Sequence, residues 1–161
     1  MKGIDRFLVA IVAGIIIIAV AAVVVVVNRG NAVGYRPDDT PEGVAFNYLL
    51  ALHQGDHARA YGYVSPGIKN YPASAGAFAS AIENTYPRRS DRDVALEIDS
   101  VRNENDIAWV KVRETMYFRS GPFGSSQNTR TFQMMLRREE AGWKITDGDS
   151  YFAWQWRTLP K

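Results

Sequence analysis

Residues 93–118, DVALEIDSVRNENDIAWVKVRETMYF, decide the fold. Val94, Leu96 and Ile98 alternate with Asp93, Glu97 and Asp99, the period of a strand with one wet face. Asn103-Glu104-Asn105-Asp106 is turn chemistry, because short Asn and Asp side chains bond nearby backbone and tolerate left-handed residues. Ala108, Val110, Val112, Met116 and Phe118 then share one face of a second, longer strand. Glu114 falls on that same apolar face. A carboxyl aimed into an apolar pocket has its pKa raised by desolvation and can act as general acid or base. A bulge near Glu114, or a bend at the strand end, would turn it outward instead.

Downstream, Ser120–Ser126 reads as a loop. Phe132, Met134 and Leu136 face one way in a third strand, opposite Thr131, Gln133 and Met135. Glu139-Glu140-Ala141-Gly142 makes a tight turn into Trp143-Lys144-Ile145, the fourth strand. Upstream the period changes to that of helices. Thr40 caps the first, with Pro41 at the position where its missing N–H costs nothing, and Val44, Ala45, Tyr48, Leu49 and Leu52 form an apolar stripe. Gly55 stops that helix and Asp56 caps the next, which carries Ala60, Tyr61 and Val64 before Ser65-Pro66-Gly67. Ser74 to Asn84 is a third, with Ala75, Phe78 and Ile82 on one side, ended by Tyr86-Pro87. The expected class is α+β: three helices packed on a four-stranded antiparallel meander.

Ala51–Tyr61, ALHQGDHARAY, followed by Val64-Ser65-Pro66, resembles the opening of nuclear-transport-factor-2-like domains, the SnoaL-like or cystatin-like cone superfamily. Glu140–Ile145, EAGWKI, resembles that superfamily's final strand. The resemblance covers roughly residues 40–147. It implies a cone in which a strongly curved sheet wraps the helices and leaves a pocket at the open end. The superfamily includes isomerases, dehydratases, cyclases and many proteins without catalytic role, so the fold does not deliver the function. Bacterial members with a short tail, one anchor and an extracytoplasmic domain include an assembly component of type IV secretion systems and membrane proteins associated with actinobacterial lipid importers.

The other end of the chain sets the location. Phe7 to Val27, FLVAIVAGIIIIAVAAVVVVV, is an unbroken apolar run of 21 residues. At about 1.5 Å per residue it spans roughly 30 Å, the hydrocarbon thickness of a bilayer. Helix is the single-pass backbone that satisfies its own polar groups in lipid. A cleaved signal has a shorter apolar stretch followed by polar residues, whereas five valines follow Ala19-Val20-Ala21, so the run reads as a retained anchor. The expected organisation is a tail over 1–6, a transmembrane helix over 7–27, a linker over 28–39 and one domain over 40–161. Lys and Arg are nearly balanced across the run; a short basic tail that stays cytoplasmic sends the domain outside the cell membrane. Ala10 and Gly14 form a small-xxx-small pair that would let two anchors pack.

Of 19 Lys and Arg, three precede residue 31, as does one of 17 acidic residues, leaving 16 of each in the remainder. A neutral domain gives no electrostatic reason to propose nucleic acid as a partner. Zero Cys excludes thiol catalysis and disulfides. Phosphate-loop, dinucleotide-binding and nucleophile-elbow motifs are all lacking, and no cofactor is expected. His53 and His57 stand four apart, but Gly55-Asp56 breaks the helix between them, so they read as an inter-helix turn rather than a metal pair. Asp147-Gly148-Asp149 reads as a turn, not a cation loop.

Tyr48, Tyr61 and Tyr63, with Glu114 and Met116, are the candidate pocket residues, the tyrosines supplying hydroxyls or serving as core. Phe152, Trp154 and Trp156 share a face if the tail is extended, either closing the core or forming a partner patch. The expected function is a membrane-anchored extracytoplasmic domain that binds or assembles without catalysis. Its partners would be the bilayer through Phe7–Val27, plus a partner membrane protein, a second copy as homodimer, or a small apolar ligand. The alternative is a pocket enzyme of isomerase or dehydratase type using Glu114.

Overall fold

The computed structural model describes residues 11–12, 14–19, 34–87, 92–119 and 125–157. The chain divides into two compact units, Met1–Gly34 and Tyr35–Lys161. In the first, residues 11–12 and 14–19 are helical, with Ile15 to Ile18 exposed. Among the described residues no helix is long and apolar enough to cross a membrane. The rest of the expected Phe7–Val27 span, Ala10 included, lies outside the described residues, as do 1–6 and 28–33.

In the second unit, α1 (Pro41–Gln54), α2 (His57–Tyr63) and α3 (Ala75–Thr85) precede β1 (Arg92–Glu104), β2 (Ile107–Arg119), β3 (Ser125–Glu139) and β4 (Gly142–Gly148). The sheet runs β1-β2-β3-β4, each neighbour antiparallel. The expected α+β meander is what the chain forms. Thr40 Oγ1 accepts from Gly43 N–H at 3.2 Å and Pro41 opens α1. Gly55 closes it at φ 77°, a left-handed cap that glycine adopts without steric cost. Asp56 and Ser74 cap α2 and α3 by accepting from Arg59 and Ala77 N–H.

One helix departs from expectation. The single apolar stripe of α1 becomes a helix buried nearly all round, Gly43 through Leu52. The sheet takes one side, and the segment just before α1 covers another. Asn47, fully buried, accepts from Arg36 N–H and donates to Arg36 C=O, both at 2.7 Å, and donates to Asp38 at 2.5 Å. The Arg36 guanidinium lies over Phe46, 3.7 Å from the ring centre. Pro37 C=O passes so near Gly43 that a Cβ there would meet it at 2.0 Å, so only glycine fits. Tyr35–Asp39, at the end of the expected 28–39 linker, is therefore a strap packed on the domain.

The core lies between α1 and the inner sheet face: Ala108, Val110 and Val112 of β2, Phe132, Met134 and Leu136 of β3, and Ile145 of β4 are buried. Val64 bridges Ile145, with Ser65 N–H donating to Ile145 C=O at 2.9 Å, tying the end of α2 to the edge strand. The register breaks in the β1–β2 ladder between Ile98 and Ser100, and in the β3–β4 ladder between Met135 and Leu136. Around Glu114 the β2–β3 ladder is continuous. No bulge turns that residue outward.

Candidate functional site

Three independent stretches converge on Glu114, which is fully buried. Strand alternation carries it inward from β2, and the ladder sets Arg130 of β3 directly opposite. Arg130 Nε donates to Glu114 Oε2 at 2.5 Å. The last turn of α1 brings His53, whose Nε2 lies 3.1 Å from Glu114 Oε1. Tyr151, beyond β4, donates its hydroxyl to the same oxygen at 2.5 Å. Tyr151 holds φ 57°, a left-handed conformation uncommon for a bulky residue. It is fixed at both ends: its carbonyl accepts the Tyr48 hydroxyl at 2.5 Å while its own hydroxyl holds Glu114.

The electrostatics reverse the expectation for Glu114. Burial pushes its pKa up, but hydrogen bonds from His53, Tyr151 and Arg130, joined by the Arg130 charge, outweigh burial and bring it down to about 2. Glu114 is thus an ionised acceptor at neutral pH and not a general acid. Burial raises the Tyr151 hydroxyl, and the adjacent carboxylate raises it further. Burial tends to lower Arg130, yet its bond and attraction to Glu114 leave it above the ordinary value. Because an ionised carboxylate only accepts, His53 must present Nε2–H to it, leaving Nδ1 as the ring's lone pair in the neutral tautomer.

These groups floor a cavity of about 210 Å³. Leu52, Ile82, Val94 and Met116 form its apolar walls; His53, Arg130 and Tyr151 line its polar side. At the rim His57 of α2 meets Glu83 of α3, Nε2 to Oε1 at 3.1 Å. His57 Nδ1 is buried without a hydrogen-bond partner among the described residues.

Of the pocket candidates, Met116 lines the cavity and Glu114 lies beneath it. Tyr48 is buried behind Tyr151. Tyr61 donates to Pro72 C=O at 2.7 Å and stacks on Tyr71, while Tyr63 donates to Asp38 of the strap at 3.0 Å. These three hydroxyls serve packing and stand outside the cavity lining. The tail is not extended: Trp154–Trp156 is a 3₁₀ turn, which sends Phe152 and Trp156 into the core and leaves Trp154 75 % exposed. Trp156 stacks on Phe78 with ring centres 5.4 Å apart. Asp147 caps Gly148 N–H, and Asp149 accepts Gln133 N–H, so both carboxylates serve the sheet end. Among the described residues no group of three or more His, Cys, Asp or Glu is placed to hold a metal.

Sequence reasoning missed Arg130, His53 and Tyr151 as members of the site. Two signals were present. Arg130 shares inward parity with Phe132 and Met134, and His53 continues the α1 stripe four residues after Leu49.

The architecture and cavity define an α+β domain with helices on one face of an antiparallel meander and a polar-floored pocket. No family model and no curated protein sequence matches the chain. Solved structures do. A protein described as a calcium/calmodulin-dependent protein kinase type II association domain, from Thiobacillus denitrificans, aligns over 70% of this chain and 95% of its own, with TM-score 0.53 and 14% identity. A SEC-C motif containing protein from Rhodopseudomonas palustris aligns over 71% and 80%, with TM-score 0.51 and 13% identity. At such identities the fold is what is shared. An NTF2-like protein with a cystatin-like fold, from Novosphingobium aromaticivorans, matches over 66% and 75% at 19% identity, but its TM-score of 0.49 adds nothing to the assignment.

Proposed function

We propose that this chain is a single-pass membrane protein, anchored by Phe7–Val27, whose extracytoplasmic NTF2-like domain binds a small ligand in the cavity above Glu114. The observation that carries the reading is the cavity itself: apolar walls over a polar floor whose charges are already matched by Glu114 and Arg130. A well-placed charge pair with three hydrogen bonds holds the floor rigid, so a ligand would meet a site that is already organised. The domain would work by binding, with Trp154 as the exposed aromatic for a partner membrane protein or second copy.

Ligand-observed NMR on the full chain in mild detergent, with a set of small neutral and charged fragments, tests this. Fragments should bind the native chain and be lost on Met116→Trp, which fills the cavity. If a correctly folded Met116→Trp variant binds the same fragments, the pocket reading fails. For the anchor, protease added outside intact cells, after outer-layer permeabilisation where needed, should digest the domain. Protection of the domain would reverse the orientation.

A second reading is favoured by one contact. Glu114 fixes His53 in the tautomer that leaves a lone pair at Nδ1, the arrangement of a base oriented by a carboxylate. In that reading His53 removes a proton next to a ligand carbonyl, and Glu114 orients and stabilises the resulting imidazolium. Exchange of α-protons for deuterium in a bound carbonyl compound would report it. Exchange that persists in His53→Gln would exclude His53 as the base.

A further inference from the structure

Resting on the ligand-pocket reading, we infer that the cavity selects an uncharged ligand whose head offers both a hydrogen-bond donor and an acceptor, as a primary amide does, on a short apolar body.

The polar wall supplies complementary halves. Arg130 lines the cavity, spends Nε on Glu114 and also meets the Tyr151 hydroxyl, so its remaining terminal N–H groups are the donors that can meet a ligand oxygen. His53 lines the same wall and spends Nε2–H on Glu114, so Nδ1 is the atom that can accept from a ligand N–H or O–H. Both are pinned through the two oxygens of one buried carboxylate, which fixes the donor and acceptor relative to each other. A head group carrying both complements satisfies both at once.

Charge argues against ionised ligands of either sign. The Arg130 cation is already paired to Glu114 at 2.5 Å, so a ligand carboxylate would face a second anion just behind its partner. Glu83 adds another carboxylate at the rim, 3.1 Å from His57. An ammonium would satisfy the His53 lone pair but lie against the Arg130 guanidinium. A volume of about 210 Å³ is below the roughly 300 Å³ at which drug-sized sites begin, which limits the body to a short chain or small ring.

Isothermal titration of the full chain in mild detergent with hexanamide, hexanoate, hexylamine and N,N-dimethylhexanamide tests the inference. Hexanamide should bind at least about tenfold more tightly than either ion, the scale of one hydrogen bond to a charged group. The dimethyl amide, which keeps the oxygen but has no N–H, should lose a similar factor, a ligand-side result independent of any folding defect. His53→Phe, which keeps a ring but has no acceptor, should bring the two amides to within about twofold of each other. Tightest binding of hexanoate or hexylamine, or equal binding of both amides by the native chain, overturns the inference while leaving a pocket. Binding by none of the probes, together with no fragment hits, removes the pocket reading itself.

Discussion

Replacing Glu114 by Gln keeps the side-chain shape and deletes the charge, so it isolates what the ionised carboxylate contributes. In the folded chain the carboxyl titrates near about 2 against an ordinary 4.5, because its bonds to His53, Tyr151 and Arg130 outweigh burial. With the folded value lowered, the unfolded chain takes up the proton first as pH falls. The stabilisation is therefore complete above about pH 5 and drains away toward pH 2. At about 1.4 kcal/mol for each tenfold, it amounts to about 3 kcal/mol. Loss of one partner of a buried pair costs a similar amount, about 3–5 kcal/mol, and the partial exposure of Arg130 favours the lower end. Urea unfolding of the full chain in mild detergent, followed by Trp fluorescence, should place Glu114→Gln about 3 kcal/mol below the native chain at pH 7. By pH 3 that gap should close by about 2 kcal/mol, since the native carboxyl is by then losing its advantage. Other carboxylates titrate in both proteins and cancel in the difference. A gap that is the same at pH 7 and pH 3, or a variant at least as stable at pH 7, would refute the reasoning.

Three further outcomes follow from packing. Asn47→Ala removes three hydrogen bonds to the strap and should cost about 3 kcal/mol, with proteolysis appearing first between residues 34 and 40. Tyr151→Phe deletes the hydroxyl on Glu114, costs about 1.5–3 kcal/mol, and should move the acid unfolding transition to higher pH as the carboxyl loses a donor. Trp156→Ala should cost about 3–5 kcal/mol, whereas Trp154→Ala should fall within about 0.5 kcal/mol of the native chain by the same unfolding measurement. Equal effects of the two Trp variants would contradict the folded tail.

Elements governed by neighbours along the chain were legible in the sequence. Strand alternation, the Thr40 and Asp56 caps, the Gly55 stop and the turns after Glu104 and Glu139 all depend on interactions within a few residues. The α1 faces were half legible. An apolar stripe marks the side against the sheet, but Asn47 and Phe46 look like solvent positions until the strap is laid over them. The tail was half legible as well: Phe152 and Trp156 close the core, one of its two readings, but the alternation suits a strand, while the contact of Trp156 with Phe78 favours a turn.

By itself the sequence determined the α+β order of elements, the inward parity of Glu114 and the apolar run at the amino end, because each follows from local periodicity. What only the tertiary structure decided was the chemistry of Glu114. His53 is 61 residues away from it and Tyr151 is 37, and no local period encodes such meetings. A lone carboxyl on an apolar face would be expected to hold its proton. Three donors brought together by packing make it give the proton up, since hydrogen bonds and a facing cation stabilise the charge more than burial penalises it.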